Sequence, residues 1–171
     1  LRINRSMRRA ARPGRCIVSD DQAFGEVVAG CSRRENPETA TWITRDMAAA
    51  YERLHGLGHA HSVEVWSEGV LAGGLYGVAV GRMFFGESMF SRVPDASKIA
   101  LAHLAARLQE RGWPLIDCQL PNPHLDRLGA TLIPRRQFLD ALEARVAEDP
   151  GDPCWNEKPG APALPMAGAR P

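Results

Sequence analysis

Cysteine is sparse in this sequence and spaced for no obvious chemistry. Cys16, Cys31, Cys118 and Cys154 form no CxxC pair and have no histidine partner at metal-ligand spacing. This pattern argues against a disulfide scaffold and a zinc site, and suits reduced thiols in a cytosolic protein. Long apolar runs are also lacking: none approaches the roughly 18–20 residues that a bilayer span requires, so no membrane role is expected. A strong charge of either sign is missing, since the formal net charge is +1. Any nucleic-acid contact must therefore rest on a local basic patch. With 171 residues and 44% apolar content, the chain suffices for one domain with a proper core and is too short for two large ones.

Acid is absent from the first fifteen positions, where Arg2, Arg5, Arg8, Arg9, Arg12 and Arg15 crowd together. An arginine-rich start superficially fits a transit peptide, and equally a solvated linker. The chain opens on Leu1 rather than Met, which reads as a fragment of a longer protein.

The stretch His59–Ser97 organises the rest. His61–Trp66 alternates as a strand, with Val63 and Val65 on one face and Glu64 and Trp66 on the other. Ser67-Glu68-Gly69 turns the chain into an apolar strand from Val70 to Val80, and Gly81-Arg82 turns it again into Met83–Met89. The glycines inside these strands mark a bulge or the close approach of another group. Gly86-Glu87-Ser88-Met89-Phe90-Ser91-Arg92 then sets an acid, two hydroxyls and a base around two apolar side chains, a mixture that reads as a site.

Around this meander the pattern predicts a strand at Arg15–Val18 and a helix from Ser19-Asp20-Asp21 to about Gly30. Further helices are expected after Thr44, after Asp95 or Ser97, and from Arg135 onward. LIDCQ, within Pro114–Gln119, reads as a buried strand, and Thr131–Ile133 as a last short one. Alternation along LIDCQ would put Asp117 and Gln119 on one face and Ile116 and Cys118 on the other, with Asn122 at the strand's exit. From residue 150 the sequence turns rich in Pro, Ala and Gly and reads as a largely disordered tail over 150–171, except that Trp155 is expected to dock back on the domain. Helices flanking a meander and a later strand give an α+β fold.

TWITR (41–45), LHGLGHAHSVEVW (54–66), GESMFSR (86–92), DASK (95–98), LIDCQLPNPHL (115–125) and LGATLIPRRQFL (128–139) occur in that order. Together they resemble the bacterial leucyl/phenylalanyl-tRNA–protein transferases over roughly residues 1–140. That resemblance implies a GNAT-like mixed sheet flanked by helices at 15–149, preceded at 1–14 by the basic linker of an absent N-terminal domain. It implies a cytoplasmic monomer that moves Leu, Phe or Met from aminoacyl-tRNA to proteins beginning with Arg or Lys, marking them for degradation by the N-end rule, with no cofactor. It also assigns roles. Asp117 and Gln119, with Asn122, would handle the reaction. Trp42, Leu75, Phe84, Met89, Leu104 and Ile116 would form the donor pocket, with Glu87 and Ser88 beside it. From the residues themselves, Arg92, Lys98, Arg135 and Arg136, with the Arg2–Arg15 cluster, are candidates for contacts to tRNA phosphates.

The residues alone leave bland readings open. Asp117 would equally cap a nearby backbone group, Glu87 would equally pair with Arg92, and each pocket residue is a good core residue. Two other functions also remain. A GNAT-type acyl-CoA-dependent N-acyltransferase is disfavoured because Arg127-Leu-Gly-Ala130 is a poor pyrophosphate loop. The other is a non-catalytic RNA-binding fragment.

Overall fold

The computed structural model describes residues 1–12, 14–33, 41–113, 115–151 and 155. Helix α1 spans Arg5–Ala10, strand β1 Ile17–Asp20, α2 Phe24–Ser32 and α3 Arg45–Gly56. The meander is β2 Ala60–Ser67, β3 Val70–Val80 and β4 Met83–Ser91. Helix α4, Ala96–Glu110, leads to β5 Leu115–Asp117, then α5 Pro123–Leu128 and α6 Arg135–Val146.

The strands lie in sequence order in one five-stranded sheet. β1 through β4 pair antiparallel, whereas β4 and β5 run parallel in register Phe84↔Ile116. Parallel pairing needs a crossover, and α4 supplies it. This is the α+β arrangement of a mixed sheet flanked by helices. Val63, Val65, Leu75 and Phe84 pack with Ile99, Leu104 and Leu108 of α4 in one cluster. Phe24, Val27 and Val28 of α2 pack with Tyr76 and Leu71 in a second, joined by Tyr51 and Leu54 of α3. Two glycines allow this closeness. A Cβ on Gly73 would fall 2.6 Å from the Ala96 side chain, and one on Gly77 2.2 Å from the Phe85 carbonyl, where β3 and β4 slip register.

Local signals were overridden where burial competed. Ser19 and Asp20, expected to start a helix, instead end β1 and are fully covered. Asp20 forms an ion pair with Arg107 of α4. The Glu64 carboxylate takes over at the head of α2, accepting from the Gln22 backbone N–H and from the Ser19 and Ser62 hydroxyls. Thr44 does cap α3 as its sequence suggests, accepting from the Met47 N–H. Residues 131–133 are irregular and exposed rather than a strand, because among the described residues the sheet ends at β5. The basic start is more than a solvated segment: it carries α1, capped by Asn4, and Met7 is fully buried. Of the tail, Trp155 is buried at 7% exposure; the expected disorder falls on residues outside those described.

Candidate active site

β5 contributes only three residues, and its parallel pairing with β4 ends at Phe85↔Asp117. Beyond that point the two chains separate, and a cavity of about 270 Å³ opens between them. Leu75 of β3, Phe84 and Met89 of β4, Leu104 of α4 and Ile116 of β5 form its apolar wall. Glu87, Ser88 and Asn122 stand among its lining residues. Parallel strands commonly build ligand sites at their C-terminal ends, where loops diverge. A wider groove of about 1080 Å³ adjoins it, sharing Leu101, Ile116, Cys118 and Leu125, and is lined also by Asp117, Gln119 and Arg135.

Asp117 and Gln119 meet, but not by strand alternation. The strand ends at Asp117, and Gln119 takes a left-handed backbone with φ 64°. The turn brings the Gln119 N–H onto Asp117 Oδ1 at 2.7 Å, while the Gln119 side-chain amide donates to the Gly86 carbonyl at 3.2 Å. Gln119 thus bridges the mouth between the diverging strands, next to Glu87. Asp117 has one oxygen committed to this turn, and the residue lines the wider groove.

Glu87 accepts a 2.8 Å hydrogen bond from the Tyr51 hydroxyl of α3, and it makes no ion pair with Arg92. Burial, reinforced by Glu87, raises the Tyr51 pKa, so the hydroxyl keeps its proton and remains a donor. Tyr76, fully buried and also lining the cavity, has its pKa raised by burial and then by Tyr51, Cys31 and Glu87. Its hydroxyl has no hydrogen-bond partner among the described residues. Burial pushes the Cys31 thiol up to about 12 against the opposing hydrogen bond from Ser88. The Cys118 thiol is raised by burial and by neighbouring Asp117, which keeps it protonated and unsuited to nucleophilic attack.

Other expected site residues are placed differently. Trp42 is 45% exposed, precedes α3, and does not line the cavity. Its neighbour Ile43 is buried instead. Asn122 caps α5, its Oδ1 accepting from the His124 and Leu125 N–H groups, so only its amide nitrogen is left for a ligand. Arg92 donates to the Leu71 carbonyl and lies over the Phe90 ring, 5.4 Å from its centroid. Lys98 pairs with Asp95 at 2.5 Å. Arg135 and Arg136 are exposed at the start of α6 and make no ion pair among the described residues.

Sequence reading missed Tyr51, Tyr76, Leu101 and Leu125. Each carries an ordinary core pattern, and Tyr51 sits at helical spacing with Met47 and Leu54. Only the folded arrangement shows it reaching Glu87.

The family model for leucyl/phenylalanyl-tRNA protein transferase matches residues 1–143. The chain is 53% identical over 156 residues to the leucyl/phenylalanyl-tRNA–protein transferase of Aromatoleum aromaticum, covering 91% of this chain and 66% of that protein. It is 52% identical to the Azoarcus sp. protein of the same name, with the same coverages. A third of that name, from Syntrophotalea carbinolica, is 54% identical over 82% of this chain and 62% of its own length. The chain thus spans 62–66% of the length of these relatives. A solved ribosomal-protein-alanine N-acetyltransferase from Brucella melitensis biovar Abortus 2308 aligns over 69% of this chain and 92% of its own at 14% identity and TM-score 0.48, too distant to say anything about chemistry. On the extent and level of the sequence matches, this chain belongs to the leucyl/phenylalanyl-tRNA–protein transferase family.

Proposed function

We propose that the chain carries the transfer site of an aminoacyl-tRNA–protein transferase, moving Leu, Phe or Met from tRNA to the α-amino group of proteins that begin with Arg or Lys. The observation that carries this reading is the apolar cavity beside the ends of β4 and β5, with Glu87 in its lining, next to a groove lined by Asp117 and by Gln119, whose side chain donates to the Gly86 carbonyl. An apolar side chain unbranched at Cβ fits such a cavity, and tolerance of several donors is expected because one methylene there discriminates by only about 1–3 kcal/mol.

The reaction is aminolysis of an ester. A neutral amine attacks the aminoacyl carbonyl, forming a C–N bond; the C–O bond to the ribose breaks, and the amine's proton passes to the leaving ribose oxygen. Glu87 draws in the acceptor's positive end, and Asp117 receives or orients the amine's proton through its uncommitted oxygen. Gln119 holds the carboxylate in place through its backbone. The exposed Arg135 and Arg136, beside the groove, serve phosphates of the tRNA acceptor arm, contacts that position without reading sequence. As a user of the tRNA pool the protein works in the cytosol as a monomer.

The test is transfer of labelled leucine from Leu-tRNA to a peptide beginning with Arg. Transfer to that peptide and not to one beginning with Asp supports the reading. Label delivered instead from acetyl-CoA to the same peptide would replace it with acyl-CoA chemistry.

A further inference from the structure

Trp155 is the one described residue beyond Gly151, and it lies inside the domain. Its slot is made of groups that are themselves held. One face stacks on His61 at 4.2 Å between centroids and 8° between planes. The His61 ring has polar neighbours at both nitrogens, Nδ1 lying 2.7 Å from Asp21 Oδ2 and Nε2 3.1 Å from the Gly58 carbonyl. The Arg107 guanidinium, 5.9 Å from the indole centroid, is fixed by its ion pair with Asp20. Trp113 meets the indole edge-on at 6.5 Å. Phe84 is a further neighbour: its ring is 5.7 Å away, and the same residue lines the apolar cavity.

Phe84 therefore stands between Trp155 and the cavity. A fully buried aromatic ring keeps its position only while packed on all sides, since protein interiors leave few voids and neighbours relax into those that form. The Phe84 contact is one of shape alone. The Trp155 indole N–H is buried without a hydrogen-bond partner among the described residues, so among these ring packing and the Arg107 guanidinium hold it in the slot.

We propose that Trp155 is a positioning residue for donor selection: wedged between His61 and Phe84, it fixes the Phe84 ring as a wall of the donor cavity and so limits that cavity's size. This rests on the reading of the cavity as the donor site. Removing the indole lets Phe84 retreat, loosening the fit around a leucyl side chain more than around the bulkier phenylalanyl one. Trp155→Phe retains a flat ring and loses no hydrogen bond, so it preserves the wall.

Two measurements test this. The first is binding of 3′-amide analogues of leucyl- and phenylalanyl-adenosine to the chain. Trp155→Ala should move the affinity ratio toward the phenylalanyl analogue by about threefold or more, within the range one or two methylenes command in apolar pockets. Added indole should restore the ratio, and Trp155→Phe should leave it within about twofold of the parent. The second needs no ligand: with 4-fluorophenylalanine at position 84, the fluorine resonance should shift and broaden in Trp155→Ala and return on adding indole. An unchanged resonance, or equal weakening of both analogues with no indole rescue, overturns the proposal. If the parent chain binds neither analogue, the donor reading fails by itself, the specificity role falls with it, and the fluorine signal decides whether Trp155 still positions Phe84.

Discussion

The backbone N–H of Gln119 donates to the Asp117 carboxylate at 2.7 Å, and the Gln119 side chain reaches across to the Gly86 carbonyl. One residue in a left-handed conformation thus ties the end of β5 to β4. A non-glycine residue in that region carries strain, which is sustained where surrounding contacts impose it.

Asp117→Ala is expected to lower leucine transfer by about two to four orders of magnitude, the usual range for a placed proton-handling group. Asp117→Asn keeps an oxygen for the Gln119 N–H and should lose comparable activity with less change in melting temperature. Single-turnover transfer at saturating tRNA, beside thermal melts of both variants, makes the comparison. Unaltered transfer in either variant would remove Asp117 from the chemistry.

Met89→Ala enlarges the cavity without touching Gln119 or Asp117. Use of Leu-tRNA should fall about tenfold or more, as expected for losing several apolar contacts, while affinity for uncharged tRNA stays the same. Measuring transfer and tRNA affinity on one preparation separates the two. Parallel losses in both, with a lower melting temperature, would make Met89 a core residue only.

Arg135→Ala with Arg136→Ala should weaken tRNA binding and leave donor preference intact. Two neutralised phosphates would reduce the slope of log affinity against log salt by about 1.4–1.8. The alternative of an Arg136–Asp140 pair along the helix is not formed, so the side chain is available. A salt slope that does not change would return both arginines to the role of a solvated helix start.

Glu64 offers a stability test. Burial raises its pKa above the ordinary 4.5, against hydrogen bonds from Ser19, Ser62 and the backbone of Gln22 and Ala23 that pull it down. Below 4.5 the group is protonated folded and unfolded, and ionisation costs nothing. As pH climbs from there to the raised folded value, the unfolded chain ionises first, so this group's contribution to stability falls. Urea midpoints of the parent and Glu64→Gln, taken at about pH 4 and about pH 7, should therefore move in the variant's favour at the higher pH. A difference that does not vary with pH would mean Glu64 ionises equally in both states.

Alternation and turn residues made β2, β3 and β4 readable directly, because a strand's side-chain period of two is a local property. The Thr44 cap and the spacing on α3 and α6 are local in the same way. The family motif GESMFSR marked Glu87, Ser88 and Met89, and the fold collects Leu75, Phe84, Leu104 and Ile116 around them. Trp42 shows the limit: a large aromatic inside a motif looked like pocket wall, yet its backbone direction leaves it exposed while Ile43 goes inward. Ser19 and Asp20 show another, since a good local cap lost to a sheet partner and a buried ion pair contributed by residues more than forty and eighty positions away. The amino-acid order by itself marked β2 to β5, α3, α4, α6 and the motif residues, and it missed α1 and α5. Tertiary structure alone decided that Tyr51 meets Glu87, that β5 stops at Asp117 beside a cavity, and that Phe84 is among the rings the docked Trp155 meets. Those are contacts between distant segments, whose energies depend on how sheet and helices pack and so leave no periodic trace in the sequence.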